Sequence, residues 1–74
     1  MQWQTRITFE ADKRSGAPCV RGLRITVGDV LGWLAAGDSI ADILADNPEL
    51  ERDDVVACLH YAAARERGTW RVAA

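Results

Sequence analysis

The sequence predicts an α+β chain that is mainly helical, with short strands first and three helices after them. Three observations predict it. Apolar and polar residues alternate along Arg6-Ile7-Thr8-Phe9-Glu10, the period of a half-buried strand. From Val27 onward, apolar residues recur three and four apart, the period of a helix face. That helical stretch is cut twice by residues that stop helices, Gly37 and the pair Asn47-Pro48.

Each element follows in order. After the first strand, residues 11–18 read as loop, punctuated by Gly16 and Pro18. Val20, Leu23 and Ile25 are strand-like, and Gly22 among them permits a tight turn or bulge. Thr26 offers a hydroxyl to cap a first helix of about residues 27–36, and Asp29 stands at its third position, close to a capping box. Val27, Val30, Leu31 and Leu34 form its inner stripe, with Trp33 off that stripe. Asp38 or Ser39 caps a second helix whose inner face is Ile40, Ile43 and Leu44. The third helix opens among Glu51, Arg52, Asp53 and Asp54, acids that suit a helix N-terminus. Val55, Leu59 and Ala62 lie on its expected inner stripe, and it should end near Arg67 with Gly68 as the stop. The outline is a single domain over 1–74. A strand head (1–25) precedes a tri-helical, helix-turn-helix-like unit (26–67) of homeodomain-like or winged-helix-like build, and a tail (68–74) follows.

The chain has 74 residues, room for one core only. A core this small often gains stability from a disulfide, a metal or a partner subunit. Cys19 and Cys58 are too few and too far apart in sequence to suggest a disulfide framework, and with His60 they form no ligand cluster. No cofactor is expected. The start MQWQTRITFE has no apolar run of a secretory signal, and no stretch approaches the length of a membrane span. These features point to a cytoplasmic protein, with a second subunit as the remaining source of stability. Ile7 and Phe9 on an edge strand, and Trp33 off the helix stripe, are candidate contacts of a homodimer.

Charge divides the chain. Residues 1–26 carry a balance of +3, residues 27–54 one of −7, and residues 55–74 one of +2. The plain reading of the acidic middle is a set of solvated helix faces. No Gly-x-Ser-x-Gly, Cys–His constellation or glycine-rich phosphate loop is present, so the chain reads as a binding module and not an enzyme. A helix-turn-helix suggests DNA, read by the start of the third helix. There Arg52 is flanked by Asp53 and Asp54, which oppose phosphates, and the outer stripe continues through His60 to Arg67. The basic head offers another route to DNA through Arg14, Arg21 and Arg24. Packing roles for Arg21 and Arg24 stand beside it, pairing with acids such as Asp29 or fixing the turn at Gly22.

The run Gly16-Ala17-Pro18-Cys19-Val20-Arg21-Gly22-Leu23-Arg24-Ile25-Thr26-Val27 resembles the signature of domain-of-unknown-function family 433. Leu34-Ala35-Ala36-Gly37-Asp38-Ser39-Ile40, Ile43-Leu44, Asn47-Pro48, Leu50, Asp54-Val55 and Tyr61-Ala62 are similar to its second half. Thr26 stands where the family usually has proline, Leu23 where threonine is common, and Glu51 where a Thr or Ser cap is common. The last change is expected to weaken the start of the third helix by ~1 kcal/mol. Members of the family resemble VapB-type antitoxins, often encoded beside a toxin with a PIN-like nuclease fold. The resemblance therefore implies an antitoxin that binds a PIN-like ribonuclease toxin and represses its own operon. The rivals are a stand-alone DNA-binding regulator and a plain protein-interaction module. A nuclease needs a positive surface, and acids at Asp42, Asp46 and Glu49 could steer this chain to it. Trp70 and Arg71 in the tail would add an anchor of the residue types favoured at interface hot spots.

Overall fold

Strand pairing in the head is limited by one proline. The structure, a computed structural model, describes residues 1–68. Strand β1 (Ile7–Thr8) pairs antiparallel with β2 (Cys19–Val20), in the register Ile7 to Val20 and Thr8 to Cys19. The next partner for Phe9 would be Pro18, which has no N–H to give, so Phe9 and Glu10 leave the sheet. The strand expected over residues 6–10 is thus only two residues long. A 3-10 turn over Trp3–Arg6 precedes it, and a second one, Arg14–Gly16, interrupts the loop expected at 11–18.

Gly22 marks a turn, as its sequence context predicts. Leu23 N–H donates to the Val20 carbonyl at 2.8 Å, and both central residues have positive φ, Arg21 at 44° and Gly22 at 73°. That is the backbone of a type I′ hairpin turn. Beyond it the chain returns along β2, with Val20 N–H donating to the Ile25 carbonyl at 2.9 Å and Cys19 bridging Thr26.

Three helices follow: α1 (Val27–Ala35), α2 (Ile40–Asp46) and α3 (Arg52–Gly68). Two start with full capping boxes. Thr26 and Asp29 exchange bonds of 2.9 and 3.0 Å, and Ser39 and Asp42 exchange two of 3.0 Å. Gly37, at φ 107°, follows the last turn of α1. Asn47 closes α2, its backbone and side-chain N–H groups both donating to the Ile43 carbonyl.

The core is built from Ile7 and Val20 of the sheet, Val27 and Val30 of α1, Ile43 of α2, Leu50 of the turn, and Val55, Ala57 and Cys58 of α3. Trp33 is half-buried against it. Leu59 departs from expectation: it is 45% exposed. The inward face of α3 runs through Asp54, Val55, Ala57 and Cys58, rotated away from Leu59 because Asp54 is drawn inside. Cys19 and Cys58 are both buried free thiols. Among the described residues no helix is long and apolar enough to cross a membrane.

Candidate functional site

A carboxylate on the apolar stripe of α3 organises the molecule. Asp54 is fully buried and stands at the third position of the helix. Its Oδ2 accepts from the Glu51 N–H at 2.8 Å, which makes half of a capping box and offsets the missing Thr or Ser at residue 51. Arg21 grips it with two bonds, Nε to Oδ1 at 2.9 Å and Nη2 to Oδ2 at 2.8 Å. Arg6 adds a bond from Nη1 to Oδ1 at 2.8 Å.

The same guanidinium groups reach outward. Arg6 donates to Glu51 Oε1 at 2.9 Å and lies 3.8 Å from Asp53, while Arg21 donates to the Glu49 carbonyl at 2.7 Å. Burial pushes the Asp54 carboxyl up. The Arg21 guanidinium, the Glu51 N–H and the Arg6 guanidinium together outweigh that effect and hold it below the usual carboxylate range. The Arg21 guanidinium is held above its ordinary value, first by its hydrogen bonds to Asp54. Burial, with the Asp54 charge beside it, pushes the Cys58 thiol up to about 12, so it stays protonated and unreactive.

A second clasp closes the rest of the head. Arg14 Nη1 donates to Asp29 Oδ2 at 2.9 Å and to the Arg24 carbonyl at 2.8 Å. Lys13 lies 3.4 Å from Glu10 and donates to the Gly22 carbonyl. The partner of Asp29 is therefore Arg14, where the sequence suggested Arg21 or Arg24.

These contacts sort the residues singled out from the sequence. Arg14 and Arg21 are engaged in internal pairs. Arg24, Arg52 and Arg67 are exposed and make no ion pair among the described residues. At the start of α3, Asp54 is buried, so one of the two aspartates expected to oppose phosphates turns inward. His60 is exposed and stacks on Trp3, with ring centroids 6.1 Å apart and planes within 8°. Asp42, Asp46 and Glu49 all remain exposed. Ile7 lies in the core, whereas Phe9 is 60% exposed and rests against Tyr61 at 6.2 Å. Trp70 and Arg71 lie outside the described residues.

Two features escaped the sequence reading. One is the aromatic cluster in which Trp3 meets Tyr61 edge-on at 6.4 Å and Arg65 covers the Tyr61 ring at 5.7 Å. The other is a mostly apolar open groove of about 560 Å³ between α1 and α3. It is lined by Ala17, Pro18, Thr26, Val27, Gly28, Leu31, Tyr61, Ala62, Arg65 and Glu66. The Asp54 clasp did have a signal: an acid one residue before Val55 and four before Cys58, on a stripe that must be buried. Among the described residues no group of three or more His, Cys, Asp or Glu side chains is placed to hold a metal ion.

Comparison with known proteins agrees with this geometry at the level of the fold. A crystal structure of a DUF433 member protein from Anabaena variabilis superposes with a TM-score of 0.77 at 25% identity, over 93% of this chain and 65% of that one. The uncharacterized protein y4eO of Sinorhizobium fredii (strain NBRC 101917 / NGR234) is 37% identical over 67 residues. The alignment covers 89% of this chain but 30% of that protein, so the chain spans less than a third of this relative's length. Residues 7–62 match the family model described as Protein of unknown function (DUF433), a span that takes in β1, the turn at Arg21–Gly22, all of α1 and α2, and most of α3. The chain belongs to the DUF433 family.

Proposed function

We propose that this chain is the antitoxin of a type II toxin–antitoxin pair, acting by binding and not by catalysis, and that its partner is a PIN-like ribonuclease toxin. The observation that supports this reading is the distribution of charge that remains after the internal clasps are formed. Asp42, Asp46 and Glu49 are exposed from α2 into the turn before α3 and make no ion pair among the described residues, whereas the exposed Glu51 and Asp53 are paired with Arg6. Arg21 is turned inward onto Asp54, and Arg6 is shared among Asp54, Glu51 and Asp53, so neither pairs with Asp42, Asp46 or Glu49. An acidic surface of this kind suits a partner with a positive substrate-binding face, and its long-range field speeds encounter.

The test is co-purification with the product of the neighbouring reading frame. Asp46→Lys and Glu49→Lys together should slow association at low salt by at least tenfold, with Asp42 left in place because it caps α2. An unchanged association rate would remove the acidic surface from the proposal. Autoregulation through DNA is a second reading, favoured by Arg24, Arg52 and Arg67, which make no ion pair among the described residues. A gel shift on the chain's own promoter tests it, and a shift that is absent or insensitive to salt counts against it. In the antitoxin reading the protein works in the cytoplasm as a homodimer.

A further inference from the structure

A small pocket of about 160 Å³ lies where the ends of α1 and α2 meet, lined by Trp33, Asp38, Ile43, Asp46 and Asn47. The close of α1 shapes it. Gly37 N–H donates to the Leu34 carbonyl and Asp38 N–H to the Trp33 carbonyl, both at 3.0 Å, the bond pair of a Schellman motif. That motif sets residue 38 beside residue 33, a place where two apolar side chains commonly touch. Here the pair is an acid and an indole. Asp46, the last residue of α2, brings a second carboxylate to the same pocket. We propose that this pocket receives an arginine side chain of a basic partner protein, its guanidinium lying on the Trp33 indole and pairing with Asp38 and Asp46.

Both carboxylates stand where a helix repels them. The C-terminal end of a helix carries partial negative charge and favours cations. Neither α1 nor α2 has a basic residue in its last turn, and the chain has no Lys, Arg or His from residue 25 to residue 51. Asp38 and Asp46 make no ion pair among the described residues, unlike Asp29 and Asp54. A cation supplied from outside offsets the two acids and the two helix ends together. The indole selects the kind of cation. A flat guanidinium stacks on an aromatic face and presents a fork to carboxylates, which a compact, strongly hydrated ammonium does not. The Asn47 side chain gives an N–H to the Ile43 carbonyl at 2.9 Å, which leaves its oxygen as a further acceptor at the pocket. The volume is that of about five waters, room for a guanidinium and the methylene that carries it. This inference rests on the antitoxin reading for the source of the arginine, and it gives the acidic surface of that reading one defined contact.

The test titrates the full, isotope-labelled chain with the blocked peptide acetyl-Gly-Arg-Gly-amide, the Trp33 indole resonance being identified by Trp33→Phe. Saturable shifts of millimolar affinity are expected at the Trp33 indole N–H and the Asn47 side-chain amide. Asp38→Asn with Asp46→Asn, checked for an unchanged circular dichroism spectrum, should weaken binding about fivefold or more, and added salt should weaken it too. The citrulline peptide, the same shape without the charge, should give no saturable shift. Free L-arginine, whose own carboxylate these acids repel, should bind less tightly than the peptide. The same pair of substitutions should weaken the complex with the product of the neighbouring reading frame by a similar factor. The proposal is overturned if the arginine peptide gives no saturable shift at Trp33, if the citrulline peptide or free arginine matches it, or if the double variant binds peptide or product as well as the wild type. A chain that takes the peptide but not the neighbouring product would sink the antitoxin reading and leave the pocket standing.

Discussion

Replacing Asp54 with asparagine removes one charge and almost no volume, and it should destabilise the fold by about 2–3 kcal/mol. Breaking a buried ion pair from one side costs about 3–5 kcal/mol, because the partner charge is left behind. Here the partners keep some access to water, the Arg6 and Arg21 side chains being 23% and 36% exposed, which lowers the figure. A chain of this length has a total stability of about 4–11 kcal/mol, so the loss is a large fraction of it. Urea unfolding followed by circular dichroism is the assay, with the midpoint displaced and the slope unchanged. The pH dependence separates the charge from the shape. Asp54 titrates in the folded state below its ordinary value of 3.8. Its contribution is therefore fully present above that value and lost as the pH falls through the lower native one. The gap between wild type and Asp54→Asn should be level from about pH 8 to pH 5 and close below about pH 4. Asp29 and Asp42, also held below the ordinary range, are common to both proteins and cancel. A variant within about 0.5 kcal/mol of wild type at pH 7, the range of ordinary surface substitutions, would refute the clasp as a main support of the fold.

Four further outcomes follow from single features. Gly32 is an exposed residue inside α1 with open space where a Cβ would go, so Gly32→Ala should stabilise by about 0.5–1 kcal/mol, read from the thermal midpoint. Gly37 also has open space but a φ of 107°, so Gly37→Ala should destabilise by about 1 kcal/mol or more in the same assay. Ile43→Ala removes a fully buried side chain that joins α2 to the core and should cost about 2–5 kcal/mol in urea unfolding. Cys58, buried and with its pKa near 12, should fail to react with a thiol reagent at pH 8 until urea unfolds the chain.

What was legible in the sequence is what depends on near neighbours. Thr26 with Asp29, Ser39 with Asp42, the left-handed residue at Gly37 and the stop at Asn47-Pro48 each act within a few positions, and each helix boundary lies within a residue or two of its expected place. The turn at Gly22 was legible for the same reason. The partner of Arg21 was not, because Asp54 lies 33 residues away, and Arg6 is 48 from it. No period or cap encodes such a distance. Leu59 illustrates the converse. Its spacing from Val55 and Ala62 suited an inner stripe, but α3 faces the core with Asp54 inside and Leu59 outside. The short β1 could have been foreseen from Pro18 once the register was known, and the register is itself a long-range fact.

The type I′ turn has a consequence for how the chain folds. Its two central residues are met by three other stretches of chain. Arg21 N–H bonds the Arg6 carbonyl and its guanidinium holds Asp54, while Gly22 N–H bonds Thr8 Oγ1 and its carbonyl receives Lys13. The helices can begin from contacts a few residues apart, but this junction requires loops of 33 and 48 residues to close, at an entropic cost that rises with loop length. Until Asp54 arrives, the Arg21 guanidinium lacks the ion pair that helps offset its left-handed backbone. The junction thus belongs to the late, all-or-none part of folding. The strand head and the first turn of α3 should then lose amide protection together, as one cooperative unit.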